Sequence, residues 1–381
     1  MSEQRGRDLR LDFFRGLALW FIFVDHIPSN VVAWATIRNF GFSDATEIFV
    51  FISGYSAMLA YGGSADRSGV AFASLQVLRR AWTLYVAHIV LFLFYAAQIA
   101  YVSARFANPM YVEELNVAQL LHEPHVALLE AVLLRFRPAN MDVLPLYMVL
   151  LLGFPALLWL WVRLRSRLVL LAASLALYAL ARGLGWNLPT WPGADGWFFN
   201  PFAWQLLFVL GALCATLPEN SFSRPRWARA WDTLAVLYLA FALWIVASWS
   251  IPAVAATVPH GLERWLYPID KTSLDPLRLA HFGAVAYLTV RLVSPQAVWL
   301  RSPFANPVIA CGRQSLYVFC LGIYLSFASF LVMVEFDGSI PTQIAVIVVG
   351  IALQSALAYM LNWYKAMERS GSRGVAPQTG G

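Results

Sequence analysis

Apolar runs of membrane-crossing length are the feature of this sequence that most constrains its fold. A transmembrane helix needs about 20 mainly apolar residues, and the 381-residue chain is 60% hydrophobic and only 13% charged. Because about a quarter of the residues in a soluble domain are charged, this composition excludes an ordinary soluble protein. Backbone polar groups in lipid must be satisfied within the segment, so runs of this length are predicted to be helices.

The expected fold is an all-α integral membrane protein with about ten transmembrane helices. We expect one polytopic domain over residues 1–365, followed by a short cytoplasmic tail over residues 366–381. The predicted spans lie near residues 11–34, 44–62, 75–103, 142–162, 168–186, 200–217, 232–252, 276–294, 305–333 and 341–362.

The distribution of positive charge predicts the orientation of the chain. Cytoplasmic loops are enriched in Lys and Arg, and most of the 27 Lys and Arg residues fall on inside segments if the amino terminus lies inside. Both termini are therefore predicted to be cytoplasmic. The net charge of +6 then follows from topology, so no nucleic-acid partner is expected. The three cysteines lie in apolar runs, and neither a disulfide framework nor a metal site is expected.

Arg15 and His26 are two ionisable residues within the first predicted span. Such residues are costly in a membrane and indicate a functional site. Eleven residues at about 100° each return to the same helix face, with a rise of about 16 Å between the two side chains. A cation at the cytoplasmic mouth and an imidazole near mid-membrane would suit a long anionic substrate that enters from inside.

The beginning of the chain resembles a known family. The segments RDLRLDFFRGLALWFIFVDHIPSN and RNFGFSDATEIFVFISGY resemble the OpgC family of membrane succinyltransferases, which modify osmoregulated periplasmic glucans. The related acyltransferase-3 group carries an Arg, ten residues and a His in its first helix, matched here by Arg15 and His26. Ser53 and Gly54 resemble the Ser-Gly signature of its second helix. Residues 141–147, 197–208 and 270–282 also resemble OpgC, which extends the likeness across the chain.

The resemblance implies transfer of succinyl from cytoplasmic succinyl-CoA, as co-substrate, to glucosyl hydroxyls of a periplasmic glucan. It also implies a multi-pass protein of the bacterial inner membrane. Acyl transfer to a hydroxyl needs a base for the hydroxyl proton and donors for the developing oxyanion. His26 is the expected general base, since histidine titrates in the right range. Either Glu47 or Asp12 is expected to orient its ring, and the sequence does not decide between them.

Two groups of residues are predicted to bind the substrates. Cations at the cytoplasmic ends of the helices are expected to hold the coenzyme A phosphates. In the acceptor site, Asp142 and His281 are expected to lie nearest the reacting hydroxyl. Sugar sites combine aromatic faces with hydrogen-bonding groups, so Trp197 is predicted to be a stacking platform. The predicted donor site comprises Arg15, Arg79, Arg80 and Arg313, and the predicted acceptor site also includes Ser53, Trp197, Asn200, Gln205, Lys271 and Asp275.

A proton-coupled secondary transporter of an anion or a sugar is the alternative interpretation. It would use Arg15 and His26 as its coupling site. Transporters usually contain internal repeats with helix breaks at corresponding positions, and the sequence has neither. The acyltransferase is therefore favoured, and release of free coenzyme A from succinyl-CoA by purified protein would distinguish the two.

Overall fold

The structure, a computed structural model, describes residues 8–218 and 228–373. Every regular element in these two ranges is helical. The chain divides into two compact units. The smaller unit combines Met1–Thr36 with Val293–Gly381, and the larger unit is Ile37–Leu292.

The helices that correspond to the predicted spans follow the same order along the chain. They are α1 (Leu9–Asp25), α2 (Ala45–Ser68), α3 (Val70–Phe106), α4 (Val143–Leu164), α5 (Arg167–Leu184), α6 (Pro201–Cys214), α7 (Ala228–Ser248), α8 (Pro276–Leu292), α9 (Asn306–Arg313), α10 (Ser315–Glu335) and α11 (Ile340–Arg373). Short α-helices cover Met110–Glu114, Ala118–His122, Pro124–Val132, Pro252–Ala255 and Glu263–Leu266, and 3-10 turns cover Val31–Ala35, Ile37–Asn39 and Val298–Arg301.

Seven of the described helices are long and apolar enough to cross a membrane, which confirms a helical membrane protein. The seven are α2, α3, α4, α5, α7, α10 and α11, the last counted over Ile340–Glu368. The predicted spans near 11–34, 200–217 and 276–294 correspond to shorter helices of 17, 14 and 17 residues. Helix α11 also continues into the predicted tail as far as Arg373, and residues 374–381 lie outside the described part of the chain.

Two predicted spans are interrupted in the structure. The predicted helix over residues 11–34 ends at Asp25, because Pro28 cannot continue a helix and disfavours helical geometry in the residue before it. The predicted span over residues 305–333 is two helices, α9 and α10, with Gln314 between them.

The larger unit is built around a close crossing of α2 and α6. A Cβ atom on Gly54 would lie 1.9 Å from the Phe208 carbonyl oxygen, and one on Gly211 would lie 2.1 Å from that of Phe51. Small residues let membrane helices approach backbone to backbone. Only glycine fits at these two positions, so the crossing fixes the depth at which α2 packs on α6.

The smaller unit contains an equivalent crossing of α1 and α9. A Cβ atom on Gly16 would lie 1.9 Å from the Val308 carbonyl oxygen, and one on Gly312 would lie 1.8 Å from that of Asp12. Because each helix contributes a glycine, the two backbones touch directly. The crossing places Arg313, the residue after Gly312, beside the first turns of α1.

Candidate active site

Helix α1 carries Arg15 and His26 on one continuous stretch of backbone. Asp8 caps its start by accepting the Arg10 backbone N–H at 3.0 Å. His26 is its C-cap, and its backbone N–H donates to the Ile22 carbonyl at 3.1 Å. Since no break separates Arg15 from His26, a rise of about 16 Å along one face lies between them. The predicted shared face agrees with this geometry, although His26 lies at the end of a helix and not in its middle.

Side-chain hydrogen bonds hold the turn that follows His26. The Asn30 amide donates to the Val24 carbonyl at 2.9 Å and to the Ile27 carbonyl at 2.6 Å. The last carbonyls of a helix have no partners within it, and Asn30 supplies one for Val24. The backbone around His26 is therefore fixed by hydrogen bonds within the smaller unit.

Asp12 and Arg313 form an ion pair where α1 crosses α9. Asp12 is 3% exposed, and its carboxylate accepts the Nε hydrogen of Arg313 at 3.4 Å. Asp12 was one of two residues predicted to orient His26. In the structure its partner is Arg313 of α9. Asp12 therefore links the two helices that carry Arg15 and Arg313, two of the predicted donor-site residues.

Two carboxylates and two cations form a cluster at the start of α2 in the larger unit. Arg278 of α8 contacts Glu47 at 2.7 Å and Asp44 at 3.1 Å, and Lys271 contacts Asp44 at 2.6 Å. Glu47 is completely buried and also accepts the Asp44 backbone N–H at 2.9 Å. We call these four residues the Asp44 cluster. Buried charges are tolerated when they are paired, and the equal numbers of acids and bases satisfy this requirement.

Local sequence explains why the Asp44 cluster forms at a helix start. Asp44 and Glu47 make a capping box, in which each side chain accepts a backbone N–H of the first turn. Burial by itself raises the pKa of the Asp44 carboxyl, but the Lys271 and Arg278 charges outweigh burial and hold that pKa well below its ordinary value. Asp44 is therefore an anion that two cations hold in place.

His281 lies beside the loop that leads into α2. Its ring is 2% exposed, and its Nδ1 lies 2.7 Å from the Ser43 hydroxyl and 3.3 Å from the Ser43 backbone N. A Cβ atom on Gly41 would lie 1.8 Å from the His281 Nε2. The loop therefore encloses the imidazole on both sides. His281, predicted to lie near a reacting hydroxyl, has its polar contacts inside the protein.

Asp142 and Trp197 are joined by Arg137. The Arg137 Nε donates to Asp142 at 2.8 Å, and its guanidinium lies 4.4 Å from the centre of the Trp197 ring. Burial raises the pKa of the Asp142 carboxyl, against the opposing charge of Arg137. Trp197 is only 4% exposed, whereas the neighbouring Phe198 is 49% exposed. Phe198, which lies 6.0 Å from the Lys271 ammonium, is therefore the accessible aromatic face at this position.

Three further predicted acceptor residues have partners within the protein. Asn200 caps the start of α6. Gln205 exchanges hydrogen bonds with Ser174, accepting its hydroxyl at 2.7 Å and donating to its carbonyl at 2.9 Å. Asp275 pairs with Arg182 at 3.3 Å. These contacts join α5, α6 and the segment before α8, so each of the three side chains contributes to packing.

The remaining predicted residues lie on α2 and α3. Ser53 donates its hydroxyl to the Phe49 carbonyl at 2.7 Å, and the Gly54 beside it forms the crossing with α6. Arg79 and Arg80 lie in the third turn of α3, and neither side chain has a hydrogen bond or ion pair within the described residues. Ser53 thus has a helix-packing environment, while the two arginines keep their donors available.

The structure brings the segments that carry Asn200 and Lys271, two of the predicted acceptor residues, into contact, and it divides the predicted donor residues between the two units. The Asn200 backbone N–H donates to the Thr272 carbonyl at 3.0 Å, and the Trp204 indole donates to the Lys271 carbonyl at 3.1 Å. The segment before α8 therefore packs on the start of α6. Of the predicted donor residues, Arg15 and Arg313 belong to the smaller unit, and Arg79 and Arg80 belong to the larger unit.

Sequence reasoning missed four residues that organise this site. Asp44 was detectable, because an Asp three residues before a Glu at the start of an apolar run is a capping-box signal. Arg278 lies near the start of an apolar run, where a buried charge indicates a partner. Arg137 and Phe198 carry no comparable local signal, since their importance depends on what they cover. The four residues are Asp44, Arg137, Phe198 and Arg278.

Apolar helices that enclose paired charges define this chain as a polytopic helical membrane protein. A family model described as OpgC protein matches residues 7–366. The chain therefore belongs to the OpgC family, and membership implies a transferase of the acyl-transferring type that modifies glucans. No curated protein and no solved structure matches the chain.

Proposed function

We propose that the protein is a membrane O-acyltransferase that moves succinyl from cytoplasmic succinyl-CoA to glucose hydroxyls of periplasmic glucans. The observation that carries the proposal is the OpgC family match over residues 7–366. Helix α1 supports it, because Arg15 in the helix and His26 at its C-cap have the spacing of the related acyltransferase-3 group. The same proposal assigns about ten spans, cytoplasmic termini and the bacterial inner membrane.

His26 acts as the general base in this proposal. As the glucosyl oxygen attacks the thioester carbonyl, the hydroxyl proton moves to the imidazole. The C–S bond then breaks, an ester forms, and the coenzyme A sulfur leaves as a thiolate that takes the proton back from the imidazolium. Proton transfer by a positioned histidine typically contributes about 10²–10⁴ in rate. The hydrogen-bonded turn at Asn30 supports this role, since it fixes the backbone beside His26.

Arg15 and Arg313, which both belong to the smaller unit, are proposed to bind phosphates of the donor. Arginine suits this task because its planar guanidinium makes paired hydrogen bonds to phosphate oxygens. No metal is assigned a role.

The acceptor glucan is proposed to bind at the outer ends of the helices in the larger unit. Lys271 and Asp142 have side chains 30% and 21% exposed, which leaves polar atoms available to sugar hydroxyls. Phe198 offers the exposed ring that a pyranose face needs. Trp197, Asn200, Gln205, Asp275 and His281 support this surface from inside.

The test is succinyl transfer by the purified full-length protein with succinyl-CoA and a glucan. His26→Ala should lower the transfer rate by about 10²–10⁴ while succinyl-CoA binding is retained. His125→Ala, the same change at an exposed histidine, is the matched control and should leave the rate unchanged. Transfer by His26→Ala within tenfold of wild type would remove His26 from the mechanism. Transport of a sugar or an anion in vesicles, without coenzyme A release, would overturn the acyltransferase.

A further inference from the structure

A cavity of about 380 Å³ lies in the smaller unit beside α9 and α11. Its volume is in the range of small-molecule sites, about 300–1,000 Å³. The polar groups that line it come from Arg301, Asn306, Arg313, Tyr359 and Asn362. Among the described residues that line the cavity, the charged ones are the two cations Arg301 and Arg313.

A relay of hydrogen bonds sets the direction of the Asn362 amide. The Lys365 ammonium, which has donors only, donates to the Gln314 Oε1 at 2.8 Å. The Gln314 Nε2 must then be the group that donates to the Asn362 Oδ1, at 2.7 Å. The Asn362 Oδ1 is therefore turned toward Gln314, which leaves the Nδ2 with its two N–H donors on the other side of the amide. Lys365 therefore determines that Asn362 offers donors to a ligand.

The two cavity arginines also keep their donors available. Arg313 donates its Nε hydrogen to Asp12 at 3.4 Å, and its two terminal nitrogens have no hydrogen bond within the described residues. Arg301 is exposed and has no ion pair in that part of the chain. The Gly16 and Gly312 crossing fixes the backbone before Arg313 against α1. The cavity is thus a donor-rich site of fixed position.

A ligand that complements this cavity has acceptors at one end and an apolar or aromatic part at the other. Phosphate oxygens accept from guanidinium groups in pairs and suit Arg more than any other side chain. Leu9 and Ile309 provide apolar walls, and the half-exposed Tyr359 ring provides a flat surface. We propose that this cavity binds the phosphorylated nucleoside end of the acyl donor, with Arg301 and Asn362 as new contacts beside Arg313.

The inference rests on the proposed function for the identity of the donor. It assigns the phosphates to Arg301, Arg313 and Asn362, and the base to the Tyr359 side of the cavity. A phospholipid headgroup presents the same phosphate chemistry, so the experiment must separate the two sources.

The probe is adenosine 3′,5′-bisphosphate, titrated calorimetrically into the full-length protein in detergent. Arg301→Gln and Arg313→Gln should each weaken binding about tenfold or more, since each removes a charge-assisted hydrogen bond. Arg229→Gln, an exposed arginine of α7, is the matched control and should bind as wild type does. With succinyl-CoA, both cavity variants should raise KM while kcat at saturating donor stays near wild type.

The outcomes separate this inference from the proposed function. Equal bisphosphate binding by wild type and both cavity variants, with succinyl transfer intact, would overturn the inference and leave the function standing. Bisphosphate binding that both variants lose, in a protein without transfer activity, would support the cavity and overturn the function. If Arg313→Gln does not fold, bisphosphate binding is compared with wild type in Arg301→Gln and Arg313→Lys instead.

Lipid occupancy is tested by native mass spectrometry of the same three variants with added phosphatidylglycerol. One result would assign the cavity to a lipid phosphate. In it, the wild type and Arg229→Gln retain the lipid, the cavity variants lose it, and the wild type does not bind the bisphosphate. That result would overturn the nucleotide assignment. Equal lipid retention in all variants, with bisphosphate binding lost from the cavity variants, is the expected result.

Discussion

The Asp44 cluster of the larger unit and the cavity of the smaller unit differ in how their charged residues are paired. In the larger unit, Asp44, Glu47 and Arg278 are held together by contacts of 3.1 Å or less. In the smaller unit, Arg301 has no ion pair among the described residues, and Arg313 shares only its Nε with Asp12. A cation that is bound to buried carboxylates contributes to stability and position, because removing it leaves charges without compensation. A cation with free donors is available to a ligand.

The same substitution in each unit should test that contrast, and the largest effect is expected at Arg278. Arg278→Met leaves the fully buried Glu47 without its cation, which should lower the free energy of unfolding by about 3–5 kcal/mol. Arg301→Met changes an exposed side chain and should shift that free energy by about 0.5 kcal/mol or less. Thermal or denaturant unfolding in detergent measures both.

A second substitution checks that the loss at Arg278 is electrostatic. Glu47→Gln combined with Arg278→Met removes both members of the pair and should recover part of the stability, as replacement of a whole buried pair is far less costly than breaking it. Equal losses of stability for Arg278→Met and Arg301→Met would show that the Asp44 cluster and the cavity do not differ in the way the structure indicates.

The helix crossing in the smaller unit should give the next largest effect. Gly312→Ala places a Cβ atom 1.8 Å from the Asp12 carbonyl oxygen, so α1 and α9 must separate at a cost of about 1–3 kcal/mol. The shift should also displace Arg313 and weaken binding of adenosine 3′,5′-bisphosphate. Gly283→Ala in α8, where nothing lies within 4 Å of the new atom, should leave both unchanged. If Gly312→Ala unfolds with the same free energy as the wild type, the crossing of α1 and α9 is not tight.

The smallest effect is expected at the exposed aromatic face of the larger unit. Phe198→Ala removes a ring that is 49% exposed, and loss of one stacking contact of about 1 kcal/mol should raise the apparent KM for the glucan about fivefold. The KM for succinyl-CoA should not change. Phe336→Ala, at a ring 76% exposed in the smaller unit, is the matched control. A change in the donor KM with none in the glucan KM would remove Phe198 from the acceptor site.

The donor and acceptor residues differ in how far sequence could predict them. Arg15 and His26 belong to one helix, so their shared face follows from helix geometry alone. Trp197 was predicted to be an exposed platform, yet it is covered by Arg137, and the exposed ring is its neighbour Phe198. The cover comes from the segment before α4, and no local pattern near Trp197 specifies it.

The sequence by itself determined the helical membrane class, the family and the spacing of Arg15 and His26, because hydropathy and helix periodicity are local properties. The tertiary structure decided which side chains became partners. Arg278 reaches Glu47 from 231 residues away along the chain, and Arg313 reaches Asp12 from 301 residues away. Such pairs depend on how helices cross, and glycines at those crossings set distances that no single segment encodes.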